Sequence, residues 1–230
     1  NVVASVPVNT NGTYSFPAMF EGSSYAVKIS TGAGVQGSPA PALVLPAGWD
    51  VTGEFNGAPN TGNDGTPNGT TALFTIGAVN IINTHFGIQR LPESAINLQA
   101  NQSNPGGINN FTVPASAFQI NNVGVTPNTQ DYDIGTVTNI RITAFPTNAA
   151  SITINGTQYT SGTWPALGVT VPYINGTGPS QAISVDPIDG AVNTVISFAA
   201  IDNSGKEDAT PGSVTLPFST VLPVKLESFT

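Results

Sequence analysis

Outside residues 191–204, no stretch of more than twelve residues in this chain is free of both glycine and proline. Proline has no N–H to give a helix interior or a central strand, and glycine weakens both structures. A chain punctuated this often cannot build long helices. It is cut into short extended runs joined by turns. Residues 191–204 themselves alternate, with Val192, Thr194, Ile196 and Phe198 on one face and Asn193, Val195, Ser197 and Ala199 on the other. That is the period of a half-buried strand. The same pattern, helped by β-branched and aromatic residues, predicts strands at 13–16, 25–30, 72–76, 81–86, 136–144, 151–154, 183–185 and 214–216. No amphipathic helix longer than a turn or two is visible. The expected fold class is all-β, as two tandem β-sandwich domains of immunoglobulin-like or prealbumin-like type.

The turns have a recognisable chemistry. Four Asn-Gly-Thr triplets begin at Asn11, Asn68, Asn155 and Asn175, and Asn-Gly favours the positive φ angles of type I′ hairpins. These triplets are also N-glycosylation sequons, as are the segments at Asn101 and Asn110. Turn formation accounts for the triplets without a glycan.

Charge removes several classes of function. Of 230 residues, 5 are Lys or Arg and 13 are Asp or Glu, for a net charge of −8. Charged residues make up 8% of the chain, against roughly 25% in an average soluble protein. Five basic residues cannot form the stripe that neutralises nucleic-acid phosphates or binds anionic membranes. No apolar run is long enough to span a bilayer. With no cysteine there are no disulfides, thiolate chemistry or Cys-based zinc sites, and the lone His85 cannot build a multi-histidine metal site. Solubility rests on neutral polar residues, including 23 Asn and 28 Thr, a composition that fits an extracellular module. No signal peptide is visible, and the chain reads as a mature product or a fragment.

A boundary is expected near residues 89–94, Gln-Arg-Leu-Pro-Glu-Ser. It separates a first domain, 1–91, from a second, 92–222. Residues 97–110 read as linker and loop, and 223–230 as the lead-in to a following module.

Two sets of segments resemble known families. Gly12-Thr13-Tyr14-Ser15-Phe16, Leu45-Pro46-Ala47-Gly48-Trp49, Thr52-Gly53-Glu54, the loop Gly62-Asn63-Asp64-Gly65-Thr66-Pro67-Asn68-Gly69 and His85-Phe86-Gly87-Ile88 resemble the B-type domain of serine-aspartate repeat adhesins, in the form found in large surface proteins of Bacteroidetes. Asp131-Tyr132-Asp133-Ile134-Gly135, Asp186-Pro187-Ile188-Asp189-Gly190 and the run from Phe198 to Gly205 resemble cadherin-like or immunoglobulin-like repeats of the same kind of protein. Leu222-Pro223-Val224-Lys225-Leu226-Glu227-Ser228-Phe229 is similar to the junction before C-terminal modules of type IX-secreted proteins. The resemblance implies a long secreted or cell-surface protein used in adhesion, gliding or fibre formation, whose partners are neighbouring modules or other copies of itself. The resembled B-type domain carries one or two strands ahead of the position of Asn1. Their absence implies either an open sheet edge that preceding residues of a parent chain, or a strand from a neighbouring copy, would fill, or a variant of the family with fewer strands.

Calcium is the sharpest chemical expectation, because its ligands are hard oxygens and the few acids fall in loops. The candidate ligands are Asp64 in the first domain and Asp131, Asp133, Asp186, Asp189 and Asp202 in the second. The resemblance implies that such loops bind calcium and stiffen a rod. Turn capping by Asp and Asn accounts for the same residues. No catalytic constellation is expected: His85 lies in an alternating strand without a nucleophile elbow, and the neighbours Glu207 and Asp208 read as a solvated turn. The alternative function is a pair of accessory carbohydrate-binding modules of a secreted enzyme, with surface glycans as partners and Trp49, Trp164, Tyr159 and Tyr173 as candidate platforms. Core packing is the competing role for those aromatics.

Overall fold

A computed structural model of the chain describes residues 1–57, 64–124, 127–133 and 135–220. Asn63, Ile134 and the expected lead-in at 223–230 lie outside the described residues. The chain divides into two compact units, Asn1–Arg90 and Leu91–Thr230. The described residues form strands and one short 3-10 turn, Ala115–Phe118, with no α-helix. The all-β expectation therefore holds. Among the described residues, no helix is long and apolar enough to cross a membrane.

The described residues of the first unit form two antiparallel ladders. Strand β1 (Ser24–Tyr25) pairs with β3 (Phe74–Thr75), and β2 (Trp49–Asn56) pairs with β4 (Thr84–Arg90). The register of the second ladder shifts between Val51 and Gly53. Strict alternation would place Val51 and Glu54 on opposite faces. The extra residue, Thr52, reverses the phase, and Val51, Glu54 and Asn56 all turn inward, at 3%, 2% and 6% exposure. Gly87 makes room for this bulge, since a Cβ there would run into Thr52 Oγ1. Residues 13–16, expected as a strand, enter no ladder. Tyr14 and Phe16 are nonetheless half-buried on one side with their rings edge to face at 5.9 Å, and the Tyr14 hydroxyl donates to Thr84 O at 2.9 Å. Val51 is the one buried apolar residue described in this unit.

The second unit is built from β5 (Ile96–Leu98), β6 (Gln102–Ser103), β7 (Phe111–Thr112), β8 (Val137–Ile142), β9 (Ala149–Ile154), β10 (Thr157–Tyr159), β11 (Val169–Ile174), β12 (Gly178–Pro179), β13 (Ile183–Pro187), β14 (Val192–Asp202) and β15 (Gly212–Ser219). One sheet runs β12-β11-β8-β14-β15-β5, with β6 also on β15; the other runs β10-β9-β13-β7. Both contribute to one apolar core. Ile152, Ile154 and Val185 come from the smaller sheet, and Ile140, Ile196, Phe198 and Leu216 from the larger. The short 3-10 turn adds Phe118, whose ring meets that of Phe198 edge to face at 5.3 Å. The alternation read for 192–199 is realised in β14, where Thr194, Ile196 and Phe198 are fully buried. The β9–β10 hairpin turns on Asn155 and Gly156 at φ 50° and 80°, the positive angles that Asn-Gly favours.

Residues 97–110, read as linker, instead include parts of the first strand of this unit. Strands β5 and β6 run parallel to β15, with Ile96 opposite Ser213, Leu98 opposite Thr215, Gln102 opposite Phe218 and Ser103 opposite Ser219. Backbone bonds join Ser213 N to Ala95 O at 3.1 Å, Gln99 N to Thr215 O at 2.9 Å and Asn104 N to Ser219 O at 2.8 Å. Residues 213, 215 and 219 therefore direct their backbone groups toward this strand, and position 217 has the same parity. Pro217 has no N–H to offer, and the parallel ladder is interrupted there. That interruption separates β5 from β6.

Candidate functional site

The acids expected to hold calcium fall in separate places. In the first unit, Asp64 is exposed, and its Oδ1 accepts the Thr66 N–H at 2.9 Å, an ordinary Asx turn. In the second unit, Asp202 and Asp189 lie at opposite ends of β14, an eleven-residue strand. At about 3.3 Å per residue they are roughly 30 Å apart and cannot share an ion.

At the Asp202 end, two loops meet. The Asp131 Oδ1 accepts the Asp133 N–H at 3.2 Å. The Asn203 Oδ1 accepts the Thr136 N–H, and Asn203 N donates to Thr136 O, both at 2.9 Å. Gly135 lies between them: a Cβ there would strike Asp131 Oδ2 and approach Asn203 Oδ1 to 2.9 Å. Asp202 is 2% exposed, and its Oδ1 is committed to the backbone N–H groups of Ser204 and Lys206, each at 2.8 Å, and to the Ser204 hydroxyl at 2.7 Å. This carboxylate closes its own turn.

At the Asp189 end, the structure is tied to the entry strand. Asn104 is 8% exposed. Its Nδ2 donates to Ile188 O at 2.9 Å and Gly190 O at 2.8 Å, and its Oδ1 accepts the Gly106 N–H at 2.9 Å. Gly107 N donates to Asp189 Oδ1 at 2.8 Å. Asp186 lies where the β13–β9 register shifts, at 6% exposure. Burial, with repulsion from Asp189 second, raises its carboxyl above the usual carboxylate range. Among the described residues, no group of three or more acids or histidines that could hold a metal converges.

No family profile, curated protein or solved structure matches the chain.

The remaining singled-out residues serve packing and pairing. His85 stacks on Phe55 at 6.4 Å. Glu207 pairs with Arg141, whose Nη1 also donates to Leu167 O at 2.7 Å. Asp208 is not a solvated turn residue. It is 8% exposed and accepts the N–H groups of Ser94 and Thr210, both at 2.7 Å, while burial holds its carboxyl above the usual range. Trp164 packs edge to face on Phe145 at 6.0 Å and on Tyr159 at 5.6 Å, against the core, and Tyr173 is 6% exposed. Trp49 is the most exposed of the four candidate aromatics, at 38%.

Sequence reasoning missed Asn104 and the parallel pairing of first and last strands. The available signals were weak: the alternation Ile96-Asn97-Leu98 is three residues long, and Asn104 opens the string Asn-Pro-Gly-Gly, which reads as a loop.

Proposed function

We propose that the chain is a non-enzymatic, load-bearing segment of a long extracellular or cell-surface protein, built as tandem β-sandwich modules and used in adhesion or fibre formation. The observation that carries this reading is the parallel pairing of β5 and β6 with β15. These are the first and last strands of the second unit. Tension drawn along the chain pulls parallel neighbours in opposite directions along their own axes. Their hydrogen bonds are then loaded together, in shear. An antiparallel pair pulled at adjacent ends opens one bond at a time. Shear geometry raises the barrier to forced unfolding, the quantity that sets survival under load. Secondary support comes from the polar side chains that fasten the same strand: Asn101 Nδ2 donates to Ser219 Oγ at 3.0 Å, and Asn122 Nδ2 to Leu98 O at 2.7 Å. A surface whose solubility rests on Asn, Thr, Ser and Gly suits an extracellular stalk.

Single-molecule stretching of the full chain tests this. The second unit should rupture in one high-force event that releases about 40 nm of contour, from about 3.5 Å per residue over Ile96–Ser219. Gradual extension at low force, with no discrete event of that length, contradicts the proposal.

A further inference from the structure

An asparagine followed by glycine carries a latent reaction of its own. The backbone nitrogen of the next residue can close on the asparagine Cγ, and glycine, with no Cβ, leaves that approach open. Five such pairs occur in the chain, at Asn11, Asn56, Asn68, Asn155 and Asn175. The sequence makes them alike, and the fold does not.

Three of the pairs are held. Asn56 is 6% exposed. At Asn68 the attacking nitrogen, Gly69 N, donates to Oε1 of the buried Glu54, and the Asn68 Oδ1 accepts the Thr70 N–H at 2.8 Å. At Asn11 the Gly12 N–H donates to Asn9 O at 2.9 Å, and the Asn11 Oδ1 accepts the N–H and the hydroxyl of Thr13 at 3.2 and 2.7 Å.

The other two pairs are open. Asn155, Gly156, Asn175 and Gly176 are all exposed. Among the described residues, neither glycine nitrogen and neither asparagine side chain has a hydrogen-bond partner. Each turn also leads into a short edge strand. One is β10, three residues at the edge of the smaller sheet; the other is β12, two residues at the edge of the larger. Few backbone bonds must break before such a turn can open and bring the nitrogen onto Cγ, and local opening of this kind has a low free-energy cost.

We infer that Asn155 and Asn175 are sites of spontaneous deamidation in the folded protein, with water as the only co-reactant. The nitrogen of Gly156 or Gly176 bonds to the preceding Cγ, and the Cγ–Nδ2 bond breaks. The amide nitrogen leaves as ammonia, taking the proton that the glycine nitrogen gives up. Water then opens the cyclic imide. Cleavage of the new N–Cγ bond gives aspartate. Cleavage of the original backbone N–C bond gives isoaspartate, whose main chain runs through Cβ and Cγ. Either product adds a carboxylate, so the two events together take the net charge from −8 to −10. The isoaspartyl form also adds a main-chain carbon to a turn whose flanks, Ile154 and Thr157, are paired. The inference does not depend on the load-bearing reading, since it rests only on the surroundings of the five pairs.

Timed incubation of the full, folded chain in mildly alkaline buffer, followed by peptide mapping in a mass spectrometer, tests it. Exchange of –NH2 for –OH gives a small mass gain, and an isoaspartate-specific methyltransferase marks the isoaspartyl product. The same chain unfolded in urea supplies the intrinsic rate of each pair. In the folded chain, Asn155 and Asn175 should react more than about tenfold faster than Asn68, because a hydrogen bond to a charged group holds the Gly69 nitrogen by at least that factor. Burial should slow Asn56 as strongly. In urea the five rates should converge. The folded-state rates should rise with pH, because the glycine nitrogen must give up its proton. Asn155→Asp and Asn175→Asp, which keep the shape of the turn residue, should each remove one of the two mass gains. Failure of either open pair to react while the unfolded chain does, or reaction of Asn56 or Asn68 as fast as Asn155 in the folded chain, overturns the inference.

Discussion

Asn104 is the most revealing position to perturb, because one side chain ties the entry strand to the loop that leads into β14. Asn104→Ala removes three side-chain hydrogen bonds, to Ile188 O, Gly190 O and the Gly106 N–H. Asn104 is 8% exposed, so water cannot freely replace them. Each such bond contributes about 1 kcal/mol net, and a buried group left unsatisfied costs about 1–3 kcal/mol. The expected loss is about 3 kcal/mol for the second unit. At about 2–4 °C per kcal/mol for a domain of this size, the melting temperature should fall by about 6–12 °C. Asn109→Ala is the control: Asn109 is exposed, and its amide donates to Gly106 O at 2.8 Å. It should cost under about 0.5 kcal/mol, as surface substitutions do. Urea denaturation followed by tryptophan fluorescence measures both, since Trp164 packs on the core of this unit. An Asn104→Ala variant within about 0.5 kcal/mol of the unsubstituted chain would refute the reasoning that this corner fastens the entry strand.

Other outcomes follow from the core, the turns and the buried titratable groups. Phe198→Ala empties a fully buried site that meets Phe118 and should cost about 3–5 kcal/mol in denaturant unfolding; a cost under about 1 kcal/mol would contradict the packing described. Gly156→Ala places a Cβ at φ 80° in the β9–β10 turn and should cost about 1 kcal/mol or more, whereas Gly190→Ser, also at positive φ, tests whether the Asp189 loop is equally strained. Burial pushes the Tyr173 hydroxyl up to about 12, so the folded state favours its neutral form. That contribution is complete below the ordinary tyrosine value of about 10 and is lost as pH rises toward 12. Alkaline unfolding should therefore shift to higher pH in Tyr173→Phe, and an unchanged alkaline limb would show that another group dominates. The carboxyl of Asp208 is also raised by burial, so its contribution is present below the ordinary carboxylate range and is lost as pH rises through its raised folded value; the same sign applies to Asp186.

The sequence was most legible where local pattern and tertiary environment agree. Residues 192–199 alternate, and β14 is central in its sheet, so each inward residue meets the core expected from its type. The Asn155-Gly156 turn needs nothing beyond its own backbone preference. Legibility failed where pairing is supplied from far along the chain. Ile96-Asn97-Leu98 becomes a strand because β15, more than one hundred residues later, presents an open edge. The inward turn of Glu54 depends on the bulge at Thr52, and no alternation rule reveals which residue is extra. Asp64, Asp131, Asp133 and Asp189 lie in loops as read, but Asp186 lies within β13 and Asp202 ends β14, and no local pattern marked the acids as separate sites. Their separation follows from the length of β14, while the difference between Asp202, which closes its own turn, and Asp186, which has an enclosed and unpartnered oxygen, is set by side-chain surroundings.

The load-bearing account is tested most directly by pulling the second unit along two axes. The chain has no cysteine, so introduced thiols give unique attachment points. Handles at Leu91→Cys and Thr220→Cys load the parallel pairing of β5 and β6 with β15 in shear. Handles at Ala191→Cys and Thr220→Cys pull at the open end of the β14–β15 hairpin, where Val192 lies opposite Phe218, and separate its bonds in sequence. The account predicts a rupture force severalfold higher along the first axis at the same loading rate. Equal forces along the two axes, or a lower force along the first, would contradict it.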